Sequence, residues 1–305
     1  MLRWQCLKTR HPLLAILREY LAILLQELRL HGGARRVRGI RRTEIGAPRS
    51  GVERGAFRPR PDMVALDTTP AIVDAHGERR LQFSDDALQS KMRLDDPQAL
   101  IAPYTRQMLS CLLFDPDPAH VLLIGLGGGS QAKFCYRYLP RARITAVEID
   151  ARVIALRERF EVPADDARFR VVHDEGARYL AHTEEPVDAI LVDAFDAEGV
   201  SPALASPAFF RDVARVLTPA GVLVMNLHGD PQRFGDHLQH ARAAFDTRAF
   251  IARVTANDNL LLYALGPHAP APTEPHLFLR ARYLQSKMPL HFRHYLEQLQ
   301  QAEPA

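Results

Sequence analysis

The stretch VLLIGLGGGSQ, residues 121–131, decides the fold of this 305-residue chain. Its first four apolar residues predict a buried strand, and the glycines after them predict a loop largely free of side chains. Those glycines are Gly125, Gly127, Gly128 and Gly129. Glycine tolerates positive φ and allows close approach to the backbone. The loop is therefore expected to lie against something, either a ligand or, as in many tight strand–helix turns, the protein itself.

Strand-like and helix-like segments alternate along the chain after this stretch. The apolar runs RITAVEI, FRVVH, VDAILVD and GVLVMNL are separated by amphipathic helical segments. This alternation predicts an α/β fold with a doubly wound, mostly parallel sheet. Only residues 255–258 separate the last two strands, TRAFIARV and NLLLYALG, so these should form an antiparallel hairpin. The layout resembles the S-adenosylmethionine-dependent methyltransferase-like, or Rossmann-like, fold.

The segments before the glycine loop predict a small β-hairpin unit and a helix. VALD, AIVDAHGERRLQF and ALQSKM have strand character, with a turn at Gly77. DDPQALIAPYTRQMLSCLLF has helical spacing. The predicted organisation is a basic leader, a β-strand unit, a nucleoside-binding catalytic domain and a C-terminal helix or tail. Their predicted ranges are 1–62, 63–95, 96–285 and 286–305.

Charge is distributed unevenly along the chain. Residues 1–62 carry a net charge of +9, so the remainder carries −6 of the overall +3. Charged residues interrupt the apolar segment 12–30, which excludes a membrane span and leaves a docking helix or a membrane-surface anchor. Residues 1–62 are alternatively an extension translated from a misplaced start, with Met63 as the working start. Without interleaved aromatics, the Arg-rich leader favours a solvated tail over nucleic-acid binding.

The cysteines indicate neither a disulfide framework nor a metal site. Cys6, Cys111 and Cys135 are widely spaced and odd in number. No CxxC pair is present, so we expect free thiols, no metal and a reducing cytoplasm.

An acidic residue follows the second strand of the alternation, where it can accept hydrogen bonds from both ribose hydroxyls. This residue is Glu148, about twenty positions after the glycine loop. Capping of the next helix is the alternative role, which Asp150 can fill instead. A pyrophosphate fingerprint needs a third glycine where this chain has Ser130. The pattern therefore favours a nucleoside without phosphates, such as an adenosyl sulfonium compound.

Acidic residues also follow the third and fourth strands. Asp174 or Glu175 can accept a hydrogen bond from an adenine amine, although each is equally well explained as a solvated turn residue. Asp193 and Asp196 follow the fourth strand in VDAILVDAFD. Two carboxylates beside a sulfonium form a negative pocket that suits a cationic amine, with one residue accepting a proton.

These motifs together resemble the spermidine synthase (polyamine aminopropyltransferase) family over residues 64–265. The matching pieces are QSKM, VLLIGLGGGS, AVEID, DEG, LVDAFD and LASPAFFRDVARVLTPAGVLVMNL. The resemblance implies that decarboxylated S-adenosylmethionine is a co-substrate and that no prosthetic group is needed. It also implies a homodimer. The roles it implies are a catalytic Asp193, an amine-binding Asp196, and a nucleoside site of Gln89, Gly125, Gly127, Gly129, Glu148 and Asp174 or Glu175.

The chain departs from this family where a diamine is usually recognised. The family has an acidic DE and then YHE, whereas this chain has APYTRQML, in which only Tyr104 is retained. Arg106 would repel a diamine if it faced the pocket. We therefore predict a spermidine synthase-like branch acting on an amine such as putrescine. A methyltransferase, with Lys133 or Arg137 binding a ligand carboxylate, and a non-catalytic member of the fold are the alternatives.

Overall fold

The computed structural model describes residues 69–83, 88–196, 199–227, 234–254 and 259–305. The chain divides into two compact units, Met1–Leu66 and Asp67–Ala305. The predicted leader, its apolar segment at 12–30 and the predicted strand VALD lie outside the described residues, as does the side chain of Asp196. Within the ranges described, no helix combines the length and the apolar character that crossing a membrane requires.

A three-stranded antiparallel sheet opens the described chain. Its strands are β1 (Ala71–Ala75), β2 (Glu78–Gln82) and β3 (Leu88–Arg93), in the order β1-β2-β3. The β1–β2 turn is formed by His76 and Gly77, both with positive φ, as a two-residue type I′ turn requires. The predicted hairpin is therefore present, and β3 extends it.

Helices and strands alternate after this sheet. In chain order they are α1 (Pro103–Met108), β4 (His120–Ile124), α2 (Ser130–Tyr138), β5 (Arg143–Glu148), α3 (Ala151–Ala155), β6 (Phe169–His173), α4 (Gly176–His182), β7 (Val187–Val192), β8 (Phe195–Asp196), β9 (Gly199–Val200), α5 (Pro202–Ala205), α6 (Pro207–Val216), β10 (Leu217–Leu227), α7 (Phe234–Phe245), β11 (Ala249–Arg253), β12 (Leu260–Leu265), α8 (His276–Lys287), α9 (Phe292–Gln300) and β13 (Glu303–Pro304). Short 3-10 helices lie at Leu109–Leu113, Arg157–Phe160 and Asp246–Arg248.

The main sheet has eight strands in the order β13-β11-β12-β10-β7-β4-β5-β6. Strands β10, β7, β4, β5 and β6 run parallel, and β12 and β11 add the antiparallel hairpin. The predicted mostly parallel sheet is thus confirmed, while the short edge strand β13 was not predicted. The chain moves from β4 outward to β6 and then returns to β7 on the other side of β4. Ligands of such sheets bind where the strand order reverses, here at the carboxyl ends of β4 and β7.

The core lies on both faces of this sheet. Val121 and Leu123 of β4 belong to one buried cluster, and Leu122 and Ile124 belong to the other, because successive side chains of a strand point to opposite faces. Residues of α1, α2, α8 and α9 complete the first cluster, and residues of α4, α6 and α7 complete the second. These four side chains are at most 2% exposed, so both faces of β4 are covered.

Two predicted boundaries differ from the structure. The helix predicted from DDPQALIAPYTRQML begins only at Pro103, because the residue before a proline is held in extended conformation and Pro favours the first helical position. Helix α8 continues through the boundary predicted at residue 285. Leu284, Met288 and Leu290 are buried in the first core cluster, so the last residues pack on the sheet.

Asp188 joins the starts of three neighbouring strands. One carboxylate oxygen of this β7 residue accepts hydrogen bonds from the backbone N–H groups of Ala119 (2.8 Å) and His120 (2.9 Å), just ahead of and within β4. The other accepts from Thr218 Oγ1 of β10 (2.8 Å). One side chain therefore aligns the amino ends of β4, β7 and β10.

Replacing Asp188 by Ala should lower the free energy of unfolding by about 2–3 kcal/mol, because three donors lose their acceptor. Urea unfolding followed by circular dichroism measures the change. Asp212→Ala on α6, which removes an ion pair with Arg215, serves as the control and should cost less than about 1 kcal/mol. Equal stability of the two variants would contradict the role given to Asp188.

Candidate active site

Gly125 brings the glycine loop and Asp193 into direct contact. It has φ +98°, and a Cβ at this position would lie 2.2 Å from the carbonyl oxygen of Asp193. The backbone N–H of Asp193 also donates to the carbonyl of Ile124 (2.9 Å). The group that lies against Gly125 in place of a side chain is therefore the backbone of Asp193, at the end of β7.

The far side of the loop also lies against the protein. Gly129, with φ +67°, precedes α2, and a Cβ there would lie 2.3 Å from Val162 Cγ2. A Cβ at residue 128 would lie 2.7 Å from Ser90 Oγ and 3.0 Å from Phe160 Cδ1. Two of the loop glycines are therefore explained by packing within the chain, whatever the loop binds.

The Glu148 side chain accepts hydrogen bonds from the backbone of the glycine loop. This side chain is buried at the end of β5, and Oε2 accepts hydrogen bonds from the backbone N–H groups of Leu126 (2.9 Å) and Gly127 (3.4 Å). Oε1 accepts from the N–H of Asp150 (3.0 Å), and Asp150 itself caps α3. A carboxylate has about four acceptor positions, so at least one is left for a ligand hydroxyl.

Asp174 and Glu175 have different partners. Both oxygens of Glu175 accept backbone N–H groups at the start of α4, from Ala177 (2.9 Å) and Arg178 (2.8 Å). Asp174 pairs with the Arg178 guanidinium. Partial burial raises the pKa of Asp174, but the hydrogen bonds from Arg178 and from the Glu175 backbone outweigh it, so the pKa lies below its ordinary value. The carboxylate of Glu175 is therefore committed to the helix, which leaves Asp174 as the stronger candidate for adenine.

Asp193 is the centre of a hydrogen-bond network beyond the end of β7. Tyr104 of α1 hydrogen-bonds to its carboxylate, and burial together with that negative charge raises the pKa of the phenol well above its ordinary value. Asn226 Nδ2 of β10 donates to Asp193 Oδ1 (3.0 Å). Asn259 Nδ2 in turn donates to Asn226 Oδ1 (2.8 Å). The structure thus brings together Asp193 and Tyr104, which the sequence singled out from distant segments.

The two asparagines were not predicted. A signal was present for Asn226, because an amide interrupts the apolar run GVLVMNL of a strand buried on both faces. Amides are rarely buried unless they are hydrogen-bonded, so this position indicated a partner. Asn259 sits ahead of β12 and carried no comparable signal.

Gln89 lies in β3, and Asp196 lies in β8, the short strand that follows Asp193. Leu81 pairs with Ser90 and Gln82 pairs with Leu88, so half-buried Gln89 is the extra residue of a β-bulge next to Ser90. Bulges often turn a side chain towards a functional site. Asp196 pairs through its backbone with Gly199 in the β8–β9 ribbon, within three residues of Asp193.

Arg106 and Gln107 of α1 are committed to backbone carbonyls. Arg106 donates from Nε to Leu100 (2.5 Å) and from Nη2 to Ile101 (2.9 Å). Gln107 Nε2 donates to the carbonyl of Arg253 in β11 (3.2 Å). The charge of Arg106 is therefore engaged in tying α1 to the segment before it, and the repulsion expected from a pocket-facing arginine does not follow from these contacts.

Lys133 lies beneath the glycine loop. It is 2% exposed, and Nζ donates to the carbonyl of Phe160 (2.6 Å), whose ring touches the loop at Gly128. Burial lowers the pKa of Lys133 to about 8. Arg137, the other cation considered for a ligand carboxylate, donates to Gln98 Oε1 at the surface.

Comparison with known proteins relates this chain to polyamine aminopropyltransferases. The spermine/spermidine synthase domain matches residues 104–247. Polyamine aminopropyltransferase of Chromobacterium violaceum is 34% identical over 240 residues, covering 78% of this chain and 92% of that protein. Polyamine aminopropyltransferase of Neisseria meningitidis serogroup A is also 34% identical, over 228 residues, covering 74% and 87%.

Solved structures agree with the fold. A probable spermidine synthase from Corynebacterium glutamicum has a TM-score of 0.58 at 20% identity, covering 72% of this chain and 82% of that one. Human methyltransferase-like protein 13, solved in complex with SAH, has a TM-score of 0.55 at 26% identity, covering 61% and 92%.

Three glycine-to-alanine variants separate steric contact from backbone strain. Gly125→Ala adds both a methyl clash with the Asp193 carbonyl and an unfavourable φ, and it should cost more than about 3 kcal/mol of unfolding free energy. Gly77→Ala adds only the strained φ, since nothing lies within 4 Å, and should cost about 1 kcal/mol. Gly235→Ala in α7 has neither problem and should be neutral or stabilising.

Thermal and urea unfolding of these three proteins measure the difference. If Gly125→Ala were no less stable than Gly77→Ala, the steric contact between a Cβ at residue 125 and the Asp193 carbonyl would add nothing to the cost of the strained φ.

The lowered pKa of Lys133 predicts that the free energy of unfolding depends on pH. The unfolded state holds the lysine proton up to about pH 10.4, whereas the folded state releases it near the lowered pKa of about 8. Stability due to this residue therefore rises with pH between these values. The unfolding free energy of the wild type minus that of Lys133→Met should increase by about 2 kcal/mol from pH 7.5 to 9.5. A difference for Lys133→Met that stays flat over this pH range would contradict the assignment.

Proposed function

We propose that this chain, which belongs to the spermine/spermidine synthase family, is an aminopropyltransferase. It moves an aminopropyl group from decarboxylated S-adenosylmethionine to an amine such as putrescine and releases methylthioadenosine. The observation that carries the proposal is the Asp193 carboxylate, hydrogen-bonded to Tyr104 and Asn226 and in backbone contact with the glycine loop. The proposed proton acceptor and the proposed nucleoside-binding loop therefore lie next to each other at the carboxyl ends of β4 and β7.

The donor binds along the carboxyl ends of β4, β5 and β6 in this proposal. Gly127 has the least crowded position among the loop glycines at residues 125 and 127–129, since a Cβ there would be in ordinary contact with Ser90 Cβ at 3.7 Å. Glu148 accepts from a ribose hydroxyl, and Asp174 accepts from the adenine amine. Asp174 N–H donates to the Glu148 carbonyl (3.1 Å), which supports placing both acids along one nucleoside. Gln89 adds a polar side chain from β3.

The chemistry is a nucleophilic displacement at carbon. The neutral amine nitrogen attacks the methylene next to the sulfonium, a C–N bond forms, and the C–S bond breaks. Its electron pair stays on sulfur, which leaves as the neutral thioether of methylthioadenosine. The new ammonium then loses one proton. The family reaction needs no prosthetic group, and holding both reactants in line supplies much of the rate.

Asp193 orients the attacking amine and accepts its proton. Tyr104 remains a protonated donor at neutral pH, because burial and the charge of Asp193 raise the pKa of its phenol. Its hydrogen bond fixes the Asp193 carboxylate and limits the directions from which an amine can approach. Asp196 is proposed to bind the second ammonium of the acceptor.

A methyltransferase acting on S-adenosylmethionine is the second candidate function. The observation that favours it is the structural similarity to human methyltransferase-like protein 13. This function needs a cation for the methionine carboxylate. Lys133 and Arg137, the cations considered for that task, have protein partners instead. This distribution of cations supports the decarboxylated donor.

We further propose a cytoplasmic enzyme that acts as a homodimer. Cys111 and Cys135 are free and buried, which fits a reducing compartment. Size-exclusion chromatography with light scattering tests the dimer.

Turnover assays of the full chain test the activity. Incubation with decarboxylated S-adenosylmethionine should release methylthioadenosine only when putrescine, cadaverine or spermidine is added, and mass spectrometry should detect the amine enlarged by one aminopropyl group. S-adenosylmethionine should give no product in the same assay. Release of S-adenosylhomocysteine would favour the methyltransferase, and no product from either donor would favour a non-catalytic protein.

Asp193→Asn should lower kcat by about 10²–10⁴-fold, the usual contribution of general base catalysis. Affinity for methylthioadenosine, measured by calorimetry, should stay within about threefold, since Asp193 does not bind the nucleoside. Asp212→Asn on α6 is the matched control and should retain wild-type kcat. An active Asp193→Asn variant would overturn the assignment of the proton acceptor.

A further inference from the structure

Two buried amides stand in line behind Asp193. Asn226 is 2% exposed and Asn259 is 9% exposed. The neighbours of Asn226 on β10 are buried apolar residues, Val224, Met225 and Leu227 among them. Burying an amide costs free energy unless its polar atoms are hydrogen-bonded. The position of Asn226 within an apolar strand therefore calls for a specific partner, and Asp193 is that partner.

The direction of the hydrogen bonds along this line is fixed by chemistry. An ionised carboxylate only accepts, so Asn226 must turn its NH₂ group to Asp193. Its carbonyl oxygen then faces Asn259, which must present its own NH₂ group. The observed bonds follow this order, with lengths of 2.8 Å from Asn259 to Asn226 and 3.0 Å from Asn226 to Asp193.

Asn259 connects the network to the antiparallel hairpin. It directly precedes β12, and its backbone carbonyl accepts from the N–H of Val254 at the end of β11 (3.0 Å). Gln107 of α1, the helix that carries Tyr104, donates to the carbonyl of Arg253 in the same hairpin. The hairpin therefore contacts both elements that position donors around Asp193.

We propose that Asn226 and Asn259 are positioning residues of the transferase: Asn259 fixes the orientation of the Asn226 amide, and Asn226 fixes the Asp193 carboxylate against the bound donor. This inference rests on the proposed aminopropyl transfer. It assigns the hairpin, which lies outside the parallel part of the sheet, a part in holding the proton acceptor through Asn226. Small displacements of a reacting group cost about 10²-fold in rate, so a fixed carboxylate matters more to kcat than to binding.

Two substitutions of Asn259 distinguish orientation from packing. Asn259→Leu removes the donor to Asn226 but leaves the Asn226–Asp193 bond free to form, and kcat should fall by about threefold to tenfold. Asn259→Asp places an acceptor against the Asn226 oxygen, so the Asn226 amide either faces repulsion or turns its oxygen to Asp193. Its kcat should fall by about 30-fold to 300-fold. Affinity for methylthioadenosine should stay within about threefold in both variants.

A loss of stability alone does not explain a lower kcat for Asn259→Asp than for Asn259→Leu. Thr145→Val, which breaks a buried hydrogen bond with His120 elsewhere in the sheet, is the control. It should lower the free energy of unfolding and leave kcat unchanged. Equal kcat values for Asn259→Leu and Asn259→Asp, or wild-type kcat for Asn259→Asp, would overturn the proposal.

A spectroscopic measurement tests the network independently of turnover. The side-chain amide of Asn226 in ¹⁵N-labelled protein is identified by its disappearance in Asn226→Leu. Its proton resonance should shift upfield in Asp193→Asn, which removes the charged acceptor, and should not shift in Asp212→Asn. If the wild type transfers no aminopropyl group, the proposed function fails, and this resonance still decides whether Asn226 binds the carboxylate. An Asn226 signal that is unchanged in Asp193→Asn would overturn the network.

Discussion

The contact between Gly125 and the carbonyl of Asp193 is the constraint on which the site depends. Because residue 125 has no side chain, the ends of β4 and β7 meet through their backbones. The glycine loop and Asp193 therefore follow adjacent strand ends of the sheet. Their separation is set by paired strands of a buried core, and this rigidity suits a displacement reaction, in which two reactants must be held in line.

The glycine loop is shaped by buried charges on two sides. Glu148 accepts the backbone N–H groups of Leu126 and Gly127, whereas Lys133 donates to the carbonyl of Phe160, whose ring packs against Gly128. Each charge is costly to bury and is kept by hydrogen bonds to the backbone. Burial of Lys133, which lowers its pKa to about 8, therefore costs stability at neutral pH. A loop ordered in this way before binding loses less entropy when a nucleoside arrives.

Sequence patterns predicted the parts of the structure that depend on local periodicity. The parallel strands, the closing hairpin, and the positions of Asp193 and Glu148 at strand ends follow from apolar runs and from what interrupts them. Tertiary contacts decided the rest. Whether Glu175 caps a helix or faces a ligand depends on the direction of its side chain, and Asn259 acquires its role only because β12 returns beside β10. Lys133 was considered only as one of two cations that could bind a ligand carboxylate in a methyltransferase, and its burial was not predicted, because a helix pattern does not show which segment covers a side chain.

The altered motif of α1 is explained by the same tertiary contacts. The chain has Arg106 and Gln107 where the spermidine synthase resemblance would place residues that recognise a diamine, and both side chains bind backbone carbonyls. They anchor α1 to the segment before it and to the β11–β12 hairpin, so that Tyr104 is held against Asp193. These contacts therefore maintain the position of the Asp193 carboxylate, the proposed proton acceptor, while α1 lacks the carboxylates of the family motif. In the proposed reaction, loss of the diamine motif therefore bears on the choice of amine, because α1 lacks the charge that would bind a second ammonium, and not on the proposed role of Asp193 as proton acceptor.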